Sequence, residues 1–515
     1  MDPELEVPTL RLPENGQATG SVWSDRARRP HFLWDAVPDA TYELEVDDSC
    51  APTAFQGCDF PTPEWVEQDL REREIVAPVA LPVSEKAPVG RRYFWRVRSC
   101  VAAACSAWSA VRYVDVGRQK SDFDGDGYAD VVLANTGNSA PRHGRVLVGF
   151  GPKPSARSLV LEEAPLPETQ DRFGAVVEPL GDLDADGFAD LLVTVPGSGI
   201  VSDGATPGHA LVYFGSASFG DEKGRQSLRV DGDADKLSFG YMAAPAGDVD
   251  ADGQQDFVVG NPSPRLYRGA SRSVIASDLP LLGPRETVER LSAGDVTGDG
   301  YSDLLAVLWA PADEHERYDF LPGGSKGFGD AATLLETDTY TVAPFTIASD
   351  ANRDGFRDLA FAVNTVSSPD EKRIDVSFGA KPPVTEVGLT WAGAMVAGPD
   401  SSPYGDLTGP ISAGDVNGDG FDDTLVGAAW HGSPLVQVSL YLGGGGSRST
   451  PDAVYSVQRE LLFISTGVPR AVGDVNGDGF DDVFLTEAFD NTGTLFFGGL
   501  DLDQAADDEI AVSLE

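Results

Sequence analysis

The chain has 515 residues, of which 41% are hydrophobic, and its formal net charge is −44. This length allows two to four ordinary domains with buried cores, and no apolar run approaches the roughly 20 residues that span a bilayer. The negative charge argues against nucleic acid and anionic lipid as partners, because both bind basic surfaces.

Residues 1–117 predict a β-sandwich. The segments HFLWDAV, TYELEV, RRYFWRVRSC and SAWSAVRYVDV alternate in hydrophobicity and are separated by turn-rich stretches. Within YFWRVR we expect the first, third and fifth side chains, from Tyr93 to Val97, to face the core. The side chains between them, beginning with Phe94, are expected to face outward.

All four cysteines lie in this first region, at Cys50, Cys58, Cys100 and Cys105. Four cysteines allow three pairings, and the short spacings favour Cys50–Cys58 and Cys100–Cys105; free thiols in a cytosolic protein are the alternative. Paired cysteines indicate an oxidising compartment. The opening MDPE has no basic and apolar leader, so an exported protein would have lost its signal peptide.

Residues 118–515 contain the pattern D-x-[DNT]-x-D-G-x-x-D seven times. We number these stretches loops 1 to 7; they span 122–130, 182–190, 248–256, 295–303, 350–358, 415–423 and 474–482. Ten residues, GDVNGDGFDD, are identical at 414–423 and 473–482. Seven copies of so restrictive a pattern indicate an internal repeat.

Each repeat predicts about four strands, with the loop between the first and the second. Short apolar runs such as LLVTV follow the loops, and a second run ends at a glycine turn. Units of about 60 residues are too small to bury a face alone, so they predict closure into a seven-bladed β-propeller; a linear β-solenoid is the alternative. We expect residues 509–515 to form the outer strand of the seventh blade and the ring to close near 117–123.

The loops have the composition of a calcium site. Side-chain oxygens at positions 1, 3, 5 and 9 and the backbone carbonyl at position 7 can surround a hard cation, and Gly at position 6 allows the positive φ of a tight turn. Calcium fits an irregular, acid-rich oxygen cage better than magnesium. An EF-hand is excluded because position 12 is apolar, as at Leu133, and a strand follows.

Up to seven Ca²⁺ ions are therefore predicted. The predicted ligands, in chain order, are Asp122, Asp124, Asp126, Tyr128, Asp130, Asp182, Asp184, Asp186, Phe188, Asp190, Asp248, Asp250, Asp252, Gln254, Asp256, Asp295, Thr297, Asp299, Tyr301, Asp303, Asp350, Asn352, Asp354, Phe356, Asp358, Asp415, Asn417, Asp419, Phe421, Asp423, Asp474, Asn476, Asp478, Phe480 and Asp482. Asp422 and Asp481, at position 8, are expected to be solvated. Seven divalent ions would leave a net charge of about −30, so a salt-adapted surface or an acidic binding face stays open.

Catalytic motifs are sparse, and we predict that the protein is not an enzyme. The five histidines are isolated in sequence, at His31, His143, His209, His315 and His431. GGSKG (323–327) matches the letters of a nucleophile elbow, but Ser325 falls at a predicted glycine turn rather than between a strand and a helix. The loop carboxylates are expected to hold structural ions.

The repeats resemble the FG-GAP repeats of the integrin α-subunit propeller and its bacterial relatives. The resemblance covers about 117–515 and rests on the loops together with Phe173-Gly174, Phe239-Gly240 and a near match at Tyr404-Gly405. Residues 1–117 are similar to a fibronectin type III domain. The resemblance implies structural loop ions on one face and ligand binding on the opposite face.

From this resemblance we expect a monomeric, secreted or cell-surface adhesion or recognition protein without membrane insertion. Its partner is expected to be a protein or a glycan, and nucleic acid is not expected. A lectin-like propeller is the alternative, followed by a propeller hydrolase or lyase; clustered aromatic residues between blades would favour the lectin.

Overall fold

The computed structural model describes residues 5–511 apart from a set of gaps. These are 103, 136–143, 164–171, 197–207, 233–238, 261–263, 280–286, 311–314, 339–341, 348–349, 364–372, 382, 384–385, 393–404, 408–409, 431–434, 459–467 and 488–491. The described residues form an all-β structure. None of their segments is a helix long and apolar enough to cross a bilayer.

Residues 5–116, called the N-terminal region below, form two sheets. Their strands are β1 (Leu10–Leu12), β2 (Gln17–Ala18), β3 (His31–Trp34), β4 (Thr41–Asp47), β5 (Trp65–Leu70), β6 (Glu74–Val76), β7 (Arg91–Val101), β8 (Ala104–Cys105) and β9 (Arg112–Val116). One sheet has the order β1-β3-β6, and the other has the order β2-β9-β7-β4-β5 with β8 beside β7. The division at residue 117 and the fibronectin type III resemblance stay predictions.

The core of this region follows the predicted alternation on one face of β7. Tyr93, Trp95 and Val97 are buried in the cluster between the two sheets. Phe94 lies on the opposite face, as predicted, but it is buried there. It packs in a second cluster with Phe55, which lies in the loop between β4 and β5. Sequence alternation could not show that a loop covers the outer face.

Two disulfides stabilise the N-terminal region. Cys50 is bonded to Cys58, and Cys100 is bonded to Cys105. The pairing favoured by the sequence spacing is thereby confirmed.

The described residues after 116 form seven consecutive sheets. The first contains β10 (Val131–Asn135), β11 (Arg145–Gly149) and β12 (Ser158–Leu161); the second β13 (Val177–Gly181), β14 (Asp190–Val195), β15 (His209–Phe214) and β16 (Gln226–Asp231); the third β17 (Ala243–Gly247), β18 (Asp256–Val259), β19 (Arg265–Ala270) and β20 (Ser273–Asp278). The fourth contains β21 (Thr287–Gly294), β22 (Asp303–Ala310), β23 (His315–Leu321) and β24 (Ala332–Asp338); the fifth β25 (Val342–Ile347), β26 (Leu359–Val363), β27 (Arg373–Ser377) and β28 (Leu389–Ala392). The sixth contains β29 (Gly405–Leu407), β30 (Ile411–Gly414), β31 (Asp423–Trp430), β32 (Leu435–Tyr441) and β33 (Ala453–Gln458); the seventh β34 (Val468–Gly473), β35 (Asp482–Glu487), β36 (Thr492–Phe496) and β37 (Asp508–Ala511).

These sheets are antiparallel meanders packed side by side as a β-propeller. Each is ordered along the chain, as in β13-β14-β15-β16, and in the sixth sheet both β29 and β30 pair with β31. The strand after each loop was predicted to be buried on both faces, and all six residues of β14 are buried. These strands are apolar on both faces although the sheets are antiparallel, because each sheet packs against a neighbouring sheet on both sides.

The ring closes between the first and seventh sheets. Val131 and Leu133 of β10 share a buried cluster with Phe484 of β35 and Leu495 of β36. The predicted closure near 117–123 is confirmed, because the side chain of Ser121 donates a hydrogen bond to the Val472 carbonyl at 3.0 Å. The predicted outer strand of the last repeat is also confirmed in its described part, β37, which pairs with β36; residues 512–515 lie outside the described residues.

Candidate metal centres

All seven loops lie on one face of the propeller and bind one another around the ring. In the second to seventh sheets the loop joins the innermost strand to the next one, so the loops share one end of the sheets. In six of the loops, the amide at position 8 donates to the carbonyl at position 1 of the preceding loop. The donor–acceptor pairs are Ala189–Asp122 (3.0 Å), Gln255–Asp182 (3.1 Å), Ser302–Asp248 (3.2 Å), Arg357–Asp295 (3.0 Å), Asp481–Asp415 (3.2 Å) and Ala129–Asp474 (3.0 Å). We call this side the loop face.

The aspartate at position 1 holds the turn of each loop. In loop 2, Asp182 accepts hydrogen bonds from the amides of Asp186 and Gly187, both at 3.0 Å. Loops 3, 4 and 5 repeat both bonds. The predicted positive φ at position 6 is confirmed in all seven loops, with 97° at Gly187 and 84° at Gly355 as the extremes.

The aspartate at position 9 is buried in every loop. Asp256, for example, accepts from the Val249 amide at position 2 and from the Gly269 amide in the glycine turn, both at 2.9 Å. The other members bonded in the same way are Asp130, Asp190, Asp303, Asp358, Asp423 and Asp482. This carboxylate joins the loop to the turn at the end of the third strand, so it has a structural role of its own.

Loops 1 to 3 bring three carboxylates together. The groups are Asp122, Asp124 and Asp130; Asp182, Asp184 and Asp190; and Asp248, Asp250 and Asp256, each with one oxygen per residue within 4.8 Å of the others. These are positions 1, 3 and 9. The predicted ligand at position 5 lies outside each cluster. Its Oδ1 instead accepts a hydrogen bond from the position 7 amide; in loop 2 the Phe188 amide donates to Asp186 at 3.1 Å.

The donor set in loops 1 to 3 fits a divalent cation. One position 3 oxygen in each loop, Oδ1 of Asp124, Asp184 and Asp250, is buried and receives no hydrogen bond from the described residues. An unpartnered buried carboxylate oxygen is costly, and a hard cation would satisfy it. Burial, followed by the neighbouring carboxylates, raises the pKa of Asp122 to about 8. Burial also raises the pKa of Asp248 to about 7.

Loops 5 to 7 are arranged differently at position 3. Asn352 donates its side-chain amide to Oδ2 of Asp354 at 2.9 Å, and Asn417 and Asn476 do the same to Asp419 and Asp478. The asparagine therefore lowers the charge of the loop and also ties position 3 to position 5. In loop 4 the hydroxyl of Thr297 is buried and unpartnered among the described residues.

Basic side chains lie against the outer carboxylates of several loops. Arg157 pairs with Asp124, and Arg268 pairs with Asp250 at 2.8 Å. Arg272, from the third sheet, reaches Asp186 of loop 2 at 2.9 Å. These pairs were missed by the sequence reasoning, because the partners come from other strands or other repeats.

Position 7 packs the seam between neighbouring loops. The ring of Phe356 in loop 5 lies against Gly298 at position 4 of loop 4, and Phe188, Phe480 and Tyr128 take the same place on Gly125, Gly418 and Gly477. Position 4 has positive φ in all seven loops, including Ala185, Ala251 and Arg353. The four glycines at position 4 were the sequence signal for this turn, and the prediction used only position 6.

Gly298→Ala should destabilise this seam. The residue has φ of 67°, and an added Cβ would lie 2.4 Å from Cε1 of Phe356. A left-handed alanine costs about 1–2 kcal/mol before the ring is displaced, so thermal unfolding should show a clear loss. The matched control is Ala251→Gly, where an existing Cβ is removed at the same loop position with φ of 55°. Equal unfolding temperatures for Gly298→Ala and the wild type would contradict the packing role.

The prediction for position 8 was wrong at Asp481. Its Oδ2 accepts a hydrogen bond from the Asp415 amide at 2.8 Å, so it joins loop 7 to loop 6 instead of being solvated. Burial raises the pKa of Asp481 to about 7. Asp422 lies 3.8 Å from the Arg357 guanidinium. The twin sequence GDVNGDGFDD therefore includes a residue of the seam.

The histidines and Ser325 do not form a catalytic group with one another among the described residues. His209 contacts Glu163 at 2.8 Å, and His31 contacts Glu74 at 2.9 Å. Ser325 lies in the turn after β23, as predicted. His143 and His431 lie outside the described residues.

Sequence comparison finds one matching family model and several integrins. The FG-GAP repeat model matches residues 173–213. Integrin alpha-PS3 of Drosophila melanogaster is 29% identical over 166 residues, which are 28% of this chain and 13% of that protein. Human integrin alpha-IIb is 30% identical over 152 residues, or 27% and 14% of the two chains. The matched stretches are less than a fifth of these relatives' lengths.

Structure comparison finds matches of low similarity. The Dos1 propeller superposes with a TM-score of 0.37 and 9% identity, over 76% of this chain and 86% of that one. A rhamnogalacturonan lyase of Bacillus licheniformis has a TM-score of 0.29 and 11% identity, over 98% and 92% of the chains.

Proposed function

We propose that this FG-GAP, integrin α-like β-propeller is a calcium-stabilised, seven-bladed recognition protein that works outside the cell. The observation that carries the calcium part is the set of three carboxylate clusters whose position 3 oxygens are buried and unpartnered among the described residues. Recognition of a protein or glycan ligand is supported by the similarity to integrin α chains. The two disulfides support an extracellular location.

The proposed ions are scaffold ions, and the loops hold them between neighbouring sheets. Because six of the loops also donate a backbone hydrogen bond to the preceding loop, a cation that fixes such a loop fixes the seam. This arrangement uses the carboxylates as ligands and leaves no free acid–base pair at the clusters. We therefore propose a binding protein rather than an enzyme.

Loops 1 to 3 should bind calcium more tightly than loops 5 to 7. Their position 3 residue is a carboxylate with a free oxygen, whereas the asparagines of loops 5 to 7 are already bonded to position 5. Ligand charge is a main determinant of calcium affinity. Calorimetric titration of the chelator-treated protein should resolve a tight class of sites.

Asp184→Asn tests this assignment. It gives loop 2 the position 3 residue of loops 5 to 7, so it should remove one site from the tight class. The matched control is Asp186→Asn, at position 5 and outside the cluster, which should leave the number of tight sites unchanged. An unchanged count in Asp184→Asn would remove the assignment of that oxygen as a ligand.

The recognition role is tested separately from calcium. The labelled protein should bind extracellular proteins or an array of surface glycans in calcium, and binding should be lost when calcium is chelated because the blades lose their alignment. Binding to array glycans would select the lectin-like alternative. If the protein bound neither extracellular proteins nor array glycans but cleaved a candidate polysaccharide, the proposed recognition role would be wrong and an enzymatic role would take its place.

A further inference from the structure

The N-terminal region covers the loop face and contacts every loop. One contact from each of loops 1 to 7, in order, is Ser21 Oγ to Gly127 O (2.7 Å), Arg92 to Asp182 (3.6 Å), Tyr113 Oη to Asp248 Oδ2 (3.0 Å), Arg112 to Gly298 O (2.9 Å), Arg11 over the Phe356 ring (3.8 Å), Arg26 to Asp415, and Ser24 against Gly479. A contact to all seven loops is more than a flexible linker would produce.

These contacts are of two kinds. Some use the outer side of the turn, whereas Arg92, Tyr113 and Arg26 reach the position 1 carboxylates of loops 2, 3 and 6. The accepting carbonyls belong to positions 4 to 6, such as Gly127, Gly298 and Gly300, the last bonded by Asn15 at 3.1 Å. None of these contacts uses the position 3 oxygens that point into the clusters. The position 3 oxygens of loops 1 to 3 are therefore left for a cation while the N-terminal region contacts the turns and the position 1 carboxylates.

The fit depends on the shape of the turn. Gly253 at position 6 approaches the Pro52 carbonyl so closely that a Cβ there would lie 2.1 Å from the oxygen. At position 6 of loops 1 and 5, a Cβ would lie 2.6 Å from a side-chain carbon of Val22 and of Arg11. Because no side chain separates the two surfaces, a change in loop conformation would be transmitted directly to the N-terminal region.

Buried arginines make the contact sensitive to the loop carboxylates. Arg92 is 6% exposed and Arg112 is 5% exposed. Arg92 pairs with Asp115 of its own region at 2.8 Å and donates to the Gly253 carbonyl. Arg112 lies 3.8 Å from Asp295. If the loops lost their conformation, these guanidinium groups would lose buried partners, which is strongly unfavourable.

The turn between β1 and β2 adds a further contact to the propeller. Glu14 pairs with Arg357, the position 8 residue of loop 5, at 2.9 Å. The backbone amide of Arg357 is also the one that donates to the Asp295 carbonyl of loop 4. The N-terminal region thus binds both the loops and the seam between them.

We propose that the seven loops form the docking site of the N-terminal region and that cation loading holds this region in place. Removal of cations lets the carboxylates of each loop repel one another, changes the outer turn and releases the region on its short connection to the propeller. The loop face is then a domain interface, so a ligand must bind elsewhere. This inference rests on the proposed cation binding.

Distance measurement between spin labels in the full chain tests the proposal. Val79→Cys in the N-terminal region and Leu500→Cys in the seventh sheet give label sites on exposed residues, 69% and 82% accessible. In calcium the distance distribution should be narrow. In chelator, at a temperature where circular dichroism shows intact sheets, it should broaden.

Variants separate docking from cation binding. Arg112→Gln should broaden the distribution even in calcium, while the calorimetric number of tight calcium sites, those of loops 1 to 3, stays the same because Arg112 contacts loop 4. Arg71→Gln, an exposed arginine of the same region, is the matched control and should stay narrow. If Arg112→Gln does not fold, Asn15→Ala is the substitute, because it removes the hydrogen bond from Asn15 to the Gly300 carbonyl of loop 4. It should broaden the distance distribution in calcium relative to the wild type, by less than is expected for Arg112→Gln.

Two different failures are distinguishable. Absence of calcium binding in the wild type would overturn the proposed function and this inference together. Calcium binding with an equally narrow distribution in chelator would overturn only the inference, and the N-terminal region would then be held independently of the loops.

Discussion

Chelation of divalent cations should lower the unfolding temperature of the protein by about 10 °C or more. A ligand that binds only the folded state contributes about 2.7 kcal/mol when its concentration is 100 times Kd. Three occupied sites would therefore add about 8 kcal/mol. With an unfolding entropy near 2.1 cal/mol/K per residue and about 400 residues in the propeller, that free energy corresponds to about 10 °C.

The measurement is differential scanning calorimetry in calcium and in excess chelator. Magnesium at the same concentration is the control, and it should restore less of the shift because it prefers a strict octahedron and keeps its waters. The shift should grow with calcium concentration, because loops 4 to 7 fill after loops 1 to 3. Equal unfolding temperatures in calcium and in chelator would show that calcium does not stabilise this fold.

The repeat itself is readable from sequence because its determinants are local. The nine positions of each loop carry their own turn chemistry, with the glycine at position 6 in the left-handed region and the aspartates at positions 1 and 9 accepting nearby amides. The apolar runs that follow the loops become the second strands, such as β14 and β22. Local patterning of this kind is sufficient to predict a β-propeller.

The contacts at the seams are harder to predict from sequence, because the residues that form them are distant in the chain. Asp481 looks like a solvated acid beside a metal loop, and its role depends on the Asp415 amide 66 residues away. Phe94 looks outward-facing until Phe55 covers it. The cover of the loop face by the N-terminal region depends on contacts such as Arg112 to Gly298, which no repeat pattern encodes.

The predicted ligands of the carboxylate clusters were also only partly correct. Positions 1, 3 and 9 converge as the oxygen-cage interpretation predicts in loops 1 to 3. Position 5 was expected to join them, and in these loops its carboxylate turns to the position 7 amide. Its backbone amide donates a hydrogen bond to the position 1 carboxylate, as the Asp186 amide does to Asp182. The position 5 residue therefore contributes to the turn through both its backbone and its side chain.

Asp256→Ala should be among the most destabilising single changes in the propeller. The carboxylate is 1% exposed and accepts the amides of Val249 and Gly269, both at 2.9 Å. Leaving two buried donors without partners costs about 1–3 kcal/mol each. A total of about 4 kcal/mol corresponds to about 5 °C for a propeller of this size.

The matched control in the same loop is Asp252→Ala, at position 5, where the side chain is half-buried and lies outside the carboxylate cluster. Calorimetric unfolding of both variants in calcium and in chelator separates two contributions of position 9. The loss caused by the unpaired amides persists in chelator, whereas the loss of a cation ligand appears only in calcium. Asp256→Ala should therefore remain clearly less stable than Asp252→Ala in chelator, with a larger gap in calcium. Equal stability of the two variants in chelator would mean that the two hydrogen bonds of Asp256 contribute no more than the two that Asp252 accepts from Gln254, which would contradict the prediction.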